Sequence, residues 1–594
     1  MEKISSMDTI KYCLNCAWKS SKTYTIVRII IKILLPIITL LMIYITANIT
    51  NVLAGQMSTD RPEGVFISLV FLIVSMQILS MILNKILAYI SLNHNGILDK
   101  DINLNIMNVC TNSDVEMYDN PQYYDRLQIA KRDSQAIVNI LWSVLDFISA
   151  ALSFLSVLAV LCSGEPLFAL GIIISAIPAA IVSHYVTKKN YNLLIKQTNE
   201  EREKYYYAGI SSEKSYSQII RINNMGDWMK NKYHDIWRKL FLQKKKLYRK
   251  NYILETFVKV IPELVIAGAL INIGLKVIDG EYLIGQYVFY TGLFAQLYAQ
   301  ITLTIDNAMS IYDNKMKIEN ILIFNHAPRR IVSGEQPLDT IDTIELRDVC
   351  FRYPGSDIDV LKSVSFLIVR GEKVALVGVN GSGKSTIIKL ILRFYDPTEG
   401  VILINGLDIK MYKISDIKVC IDCYFQNSLN LPFSIRKNVN MRDGDQDNTN
   451  DEAIASVMEQ ACAKDVLQQS KSNLSTHISR LFSKTGIELS IGQHQKIAIS
   501  RVFYSNKQLV LFDEPSSSLD PEAEDKIFKS IKELFEGKTV FFISHRLTSL
   551  FLADKIIVLE NGKIIENGTM DELLKDKGKF YNLYQYHASK FDVN

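Results

Sequence analysis

The chain has 594 residues, 48% of them hydrophobic, and a formal net charge of only +4. That length exceeds one ordinary domain, and the small basic excess excludes a strongly basic nucleic-acid binder. The apolar residues are concentrated in long runs in the first half, whereas the second half reads as a soluble α/β protein.

Apolar segments at about 26–53, 64–92, 136–163, 166–186, 253–279 and 283–311 each reach the roughly 20 residues that cross a bilayer as helix. Six such runs in succession predict a multi-pass membrane domain. The first run follows some 25 largely polar residues and lacks a small-residue cleavage site, so it is read as a span and not as a signal peptide. Residues 187–252 carry 16 Lys/Arg against 6 Asp/Glu, while the short loops at 54–63 and 279–283 contain only Arg61 as a basic residue. By the preference of Lys and Arg for the cytoplasmic side, both termini face the cytosol, and the abundance of Ile, Lys and Asn points to an AT-rich bacterial genome and so to a bacterial plasma membrane. The basic excess beside the bilayer suits anionic lipid headgroups better than nucleic acid.

Segments 93–135 and 187–252 are charged and aromatic, and read as helices continuing beyond the bilayer. Pro328, Gly334 and Pro337 mark a change of composition. The expected division is a transmembrane domain at 1–325, a linker at 326–340 and a soluble domain at 341–594. From 344 onward, short β-rich runs such as VALVGV and LVLF alternate with helical stretches, which predicts parallel strands with crossover helices. The fold class is therefore an all-α six-helix membrane domain followed by an α/β domain, and a phosphate-loop motif, GVNGSGKST, makes the latter a P-loop nucleotide-binding domain.

GVNGSGKST, Gly378 to Thr386, fits G-x-x-x-x-G-K-[ST], follows the strand VALV and opens a helical run. Gly378, Asn380, Gly381, Ser382 and Gly383 supply backbone N–H groups for phosphate oxygens. Lys384 reaches the terminal phosphates, Ser385 ligates Mg²⁺, and Thr386 completes the loop. Downstream, LVLFDEP ends an apolar strand on Asp513 and Glu514, one to hold Mg²⁺ and the other to polarise the attacking water.

The order of these motifs resembles the ATP-binding cassette transporters across essentially the whole chain. The resemblance implies ATP and Mg²⁺ as cofactors and further roles by position. Tyr353 in FRYPG looks like the aromatic that stacks on adenine, and Gln426 in YFQNSLNLPFSIRKNV like the glutamine that joins Mg²⁺ to the membrane domain. Asp520 in SSSLD matches the dimer-contact loop, and His545 in FFISHR the histidine that senses the γ-phosphate. Glu514, His545 and Lys384 are the implied catalytic set; Ser385, Gln426 and Asp513 are the implied metal set.

LSIGQ, residues 489–493, occupies the place of the family's LSGGQ signature, with Ser490, Gly492 and Gln493 retained and Ile491 in place of a glycine. A β-branched residue is compatible with a helix start, so the expectation is a working ATPase and not a relic. In the family, a phosphate loop and a signature meet only across two cassettes. One of each implies a homodimer, or a heterodimer with a related half-transporter.

Six spans with long cytoplasmic extensions resemble the exporter type. GIELSIGQHQKIAISR and YDNPQYYDRLQIA resemble exporters of bacteriocin and lantibiotic peptides, without the peptidase domain that precedes some of them. The expected cargo is a ribosomally made, possibly modified, peptide. The alternatives are a multidrug or lipid exporter and, from another class, an ATP-gated channel or sensor. Lys85, Asp146, Lys259, Glu263 and Asp306 are ionisable residues within the apolar half, either lining a pathway, lying at helix ends or pairing. Cys13/Cys16 and Cys420/Cys423 form two CxxC pairs without the companions of a zinc finger.

Overall fold

The computed structural model describes residues 6–56, 61–325, 330–426, 430–441, 450–515, 520–544 and 547–588. They form two compact units: 1–113 with 121–328, and 114–120 with 329–594.

The described residues of the first unit form helices and the turns between them. Among the described residues six helices are long and apolar enough to cross a membrane: Lys22–Leu53, Pro62–Asn112, Gln135–Gly164, Pro166–Lys196, Gly226–Ile278 and Ile284–Asn325. Apolar side chains at the interior of this unit, among them Val157, Ile172, Ile273 and Phe294, are fully buried. Tight helix contacts depend on small residues. A Cβ at Gly285 would stand 2.1 Å from Asn51 Oδ1 and 2.4 Å from the Ala47 carbonyl, and Asn51 Oδ1 accepts the Gly285 N–H at 2.7 Å. Among the expected intramembrane charges, Asp146 pairs with Lys32 at 2.6 Å. Lys85, Lys259, Glu263 and Asp306 are exposed, and no ion pair joins Lys259 to Glu263. The basic stretch 187–252 is divided into several helices, with breaks at Gln197, Glu213 and Asn223–Met225.

The second unit has two sheets. Strands β1 (Thr343–Phe351), β2 (Leu361–Val369), β4 (Glu399–Ile404) and β5 (Leu407–Asp408) form an antiparallel sheet in the order β2-β1-β4-β5. Strands β3 (Lys373–Val377), β6 (Ile421–Tyr424), β7 (Leu509–Asp513), β8 (Thr539–Ile543), β9 (Lys555–Glu560) and β10 (Lys563–Gly568) form the second, in the order β10-β9-β3-β8-β7-β6. Its five strands from β9 to β6 run parallel, and β10 closes one edge antiparallel. Both faces are covered, so β7 and β8 are buried at every position, as unbroken apolar runs in a parallel sheet require. In such sheets ligands gather beyond the carboxyl ends of the strands.

The segment 114–120, flanked in sequence by helices of the first unit, belongs to the second. Its short 3-10 turn Val115–Asp119 is held there by several contacts. Tyr395 hydroxyl donates to Asp119, Arg330 pairs with Glu116, and Asp114 accepts the Arg330 N–H at 2.7 Å.

Candidate functional site

Four neighbouring parallel strands deliver their carboxyl ends to one place. After β3 the chain turns through the phosphate loop into the helix Lys384–Ile391, β6 leads to Gln426, β7 ends on Asp513, and β8 is followed by Ser544. A cleft of about 360 Å³ lies here, lined by Asn380, Gly381, Gly383, Lys384, Ser385, Thr386, Gln426, Glu514 and Val360.

The loop needs its glycines for different reasons. Gly383 caps the helix at φ 105°, a conformation that L side chains rarely adopt. A Cβ at Gly378 would lie 2.1 Å from the Leu559 carbonyl oxygen, because the loop runs hard against β9. Lys384 is buried, and its Nζ donates to the carbonyls of Gly378 at 2.8 Å and Val379 at 3.0 Å. Burial pushes the ammonium below the ordinary lysine range, against the opposing pull of Glu514 and Asp513. Ser382 Oγ is buried with no hydrogen-bond partner. An unsatisfied hydroxyl, a lysine folded back on its loop and a helix N-terminus together fit a polyphosphate.

Ser385 Oγ donates to Asp513 Oδ1 at 3.1 Å, so the hydroxyl and carboxylate expected to share a cation are adjacent. Burial raises Asp513 above the usual carboxylate range, assisted by Glu514 and opposed by the Ser385 bond and by Lys384. An oxygen pair of this kind suits a hard divalent cation such as Mg²⁺. Glu514 follows with φ 52°, a left-handed backbone unusual for a residue with a side chain, and its Oε2 accepts from Gln426 Nε2 at 2.8 Å.

Tyr353 stands beside this cleft. Its hydroxyl lies 3.1 Å from Thr386 Oγ1 and accepts from Lys389 Nζ at 3.2 Å, and its ring meets Phe351 and Tyr395 edge-on at 4.9 and 5.4 Å. Asp520 caps the helix Pro521–Leu534, its side chain accepting the Ala523 N–H at 2.8 Å. His545 lies outside the described residues.

Ser490 is the N-cap of the helix Ile491–Ser505 and forms a capping box with Gln493. Ser490 Oγ accepts the Gln493 N–H at 3.2 Å, and Gln493 Oε1 accepts the Ser490 N–H at 2.9 Å. Ile491 is the first helical residue, with negative φ and a side chain 78% exposed, and Gly492 is the second. A glycine-only conformation is thus not required at 491.

Two links to this helix were not legible as motifs. Asn430 Nδ2 donates to the His494 carbonyl at 2.6 Å, and Gln495 Nε2 to the Pro515 carbonyl at 2.8 Å. The only sequence signal was a polar Asn or Gln inside a run that otherwise packs. Both CxxC pairs are free thiols; among the described residues no group of three metal-ligating side chains occurs.

Comparison with known proteins agrees with this architecture. The family described as ABC transporter matches residues 361–517, and the ABC transporter transmembrane region matches residues 25–301. The chain is 28% identical to the subtilin transport ATP-binding protein of Bacillus subtilis over 92% of its own length and 88% of that protein's. It is 24% identical to the nisin transport ATP-binding protein of Lactococcus lactis subsp. lactis over 99% and 97% of the two chains. A putative multidrug export ATP-binding/permease protein of Bacillus subtilis is 32% identical over 56% of each chain. The fold is that of a bacterial Atm1-family ABC exporter solved with ATP bound, at a TM-score of 0.83 and 18% identity, covering 96% of this chain and 98% of that one. The chain therefore belongs to the ATP-binding cassette transporters, as a multi-pass, ATP-hydrolysing exporter in which a six-helix membrane unit precedes a nucleotide-binding unit.

Proposed function

We propose that the chain exports a ribosomally synthesised peptide across a bacterial plasma membrane, with both termini in the cytosol. The observation that carries this reading is that the subtilin and nisin transport proteins match almost end to end, whereas the multidrug export relative matches over about half. That partial match, at higher identity, favours multidrug export as the second reading.

In the proposed cycle two copies each bind ATP. Lys384 and the loop N–H groups hold the terminal phosphates, Tyr353 supports the adenine, and Gln426 and Glu514 orient the attacking water, Glu514 as the polarising base. His545 and Asp520 complete the site by position. Ser385, Asp513 and Gln426 would hold Mg²⁺, which neutralises phosphate charge when bound. Each copy's Ser490, Gly492 and Gln493 serve the nucleotide held by the other copy. Exposed Lys85, Lys259, Glu263 and Asp306 support the two-copy reading, because ionisable side chains on membrane helices are costly against lipid and call for an aqueous path or a partner chain. A related half-transporter is the alternative partner.

The test is ATP-driven accumulation of a labelled peptide in inside-out vesicles containing this protein alone. Concentrative uptake of peptide, absent for hydrophobic amines and lipid analogues, is expected. Uptake of the amine or lipid probe alone would replace peptide with drug or lipid, and downhill leakage would replace the pump with a channel.

A further inference from the structure

Gln493 has both ends of its side-chain amide in use. Oε1 accepts the Ser490 N–H at 2.9 Å as half of the capping box, so Nε2 is the end left to donate, and it reaches Asp465 Oδ2 at 3.0 Å. Asp465 lies in the short helix Lys464–Gln469, 28 residues before Gln493. Its other oxygen, Oδ1, is buried 3.5 Å from Lys496 Nζ, on the next turn of the signature helix Ile491–Ser505. One carboxylate thus holds two residues of that helix.

Apolar packing sets the two helices in this register. Val466, next to Asp465, and Ile497, next to Lys496, are fully buried in the same core cluster. The polar group sits at the rim of that cluster, with the Asp465 side chain 43% exposed and that of Lys496 16%. Its effect reaches the Ser490 turn. Ser490 Oγ accepts the Gln493 N–H at 3.2 Å, which leaves the hydroxyl proton to donate elsewhere, and the Ile491 and Gly492 N–H groups are the orphan donors of a first helical turn. The aim of these donors depends on the Gln493 amide, and the setting of that amide depends on Asp465. Without the carboxylate, Nε2 has no acceptor and the amide is free to rotate off the Ser490 N–H.

We infer that Asp465 is a positioning residue for ATP turnover: through Gln493 and Lys496 it fixes the Ser490 turn that this chain presents to the nucleotide of the second copy. The residue stands in the run ACAKDVLQQS, which carries no motif, and it does not line the phosphate cleft of its own chain. It therefore acts through the signature helix. Gln493 needs an acceptor at 465 and not a charge, so an amide oxygen there serves the same bond. The inference rests on the two-copy reading above.

The experiment uses the whole chain in lipid, purified as mixed dimers of two differently tagged copies. One copy carries Glu514→Gln, so turnover comes from the nucleotide held by the other copy, and that nucleotide meets the silenced copy's Ser490 turn. Asp465→Ala in the silenced copy is expected to lower kcat at least about fivefold, with KM for ATP within about twofold. Asp465→Ala in the active copy, whose turn faces the silenced site, is expected to lower kcat less than about twofold. Both dimers carry the same two substitutions, so a loss of fold lowers both alike and only positioning separates them. Asp465→Asn in the silenced copy keeps an acceptor for Gln493 Nε2 and is expected to hold kcat within about twofold of the dimer carrying Glu514→Gln alone. Equal losses from the two placements, an unchanged kcat, a loss confined to KM, or an Asn variant as impaired as the Ala variant would overturn the inference. Tagged copies that fail to co-purify would sink the two-copy reading and the trans role with it.

Discussion

Gln426 Nε2 donates to Glu514 Oε2 at 2.8 Å, joining two residues that stand 88 positions apart in the chain. The carboxylate is aimed at the phosphate cleft by this bond and by its left-handed backbone, φ 52°. Glu514→Gln is expected to lower kcat for ATP at least about a hundredfold, close to 2.7 kcal/mol of barrier. Affinity for ATP, read by nucleotide binding in the absence of turnover, stays within about threefold, about 0.7 kcal/mol. A variant that retained more than a tenth of the activity would remove Glu514 as the base.

Ile491→Gly restores the glycine of the resembled signature. The isoleucine occupies an ordinary helical position with its side chain in solvent, so kcat should change by less than about fivefold, about 1 kcal/mol. A gain well beyond that, measured as steady-state ATP hydrolysis in lipid, would mean that the β-branched side chain obstructs the opposing nucleotide.

Burial holds His494 below the ordinary histidine range against the opposing field of Glu488, and Asn430 donates toward its Nδ1 when that nitrogen is unprotonated. With the folded value depressed, this stability is fully present above the ordinary pKa and is lost as pH falls through the folded one. The melting temperature should therefore decline from about pH 7.5 to about pH 5.5, and His494→Gln should remove part of the decline. An identical slope in the variant would show that other groups set it.

Tyr395 connects the nucleotide side of the second unit to the segment 114–120 by its hydroxyl on Asp119 and its ring on Tyr353. Tyr395→Phe keeps the ring and loses a charge-assisted bond of about 1.5–3 kcal/mol. Basal hydrolysis should remain within about twofold, about 0.4 kcal/mol, while peptide-driven stimulation falls. Stimulation equal to the parent's would show that coupling bypasses this hydroxyl.

Gly285→Ala forces a methyl into Asn51 and the Ala47 carbonyl, and the helix seam must open by tenths of an ångström or more. The expected cost is about 1–3 kcal/mol, seen as a lower melting temperature in detergent. Unchanged melting would mean that the two helices separate there at little cost.

Much of this protein is written in short local patterns. Six apolar runs define membrane helices because hydrocarbon tolerates only internally bonded backbone, and that constraint shows in any single run. The phosphate loop, Asp513 and Glu514 were legible because each sits at a strand end with a recognisable local chemistry. What the tertiary structure decided are relations between distant positions. The parallel order β3-β8-β7-β6 puts Ser385 beside Asp513 and Gln426 against Glu514. The pairing of Tyr395 with Asp119 and the clamp of Asn430 on His494 join segments that carry no motif. Local periodicity records which face of an element is apolar, but a polar side chain's partner is fixed by where the chain returns, and that depends on the packing of the whole unit.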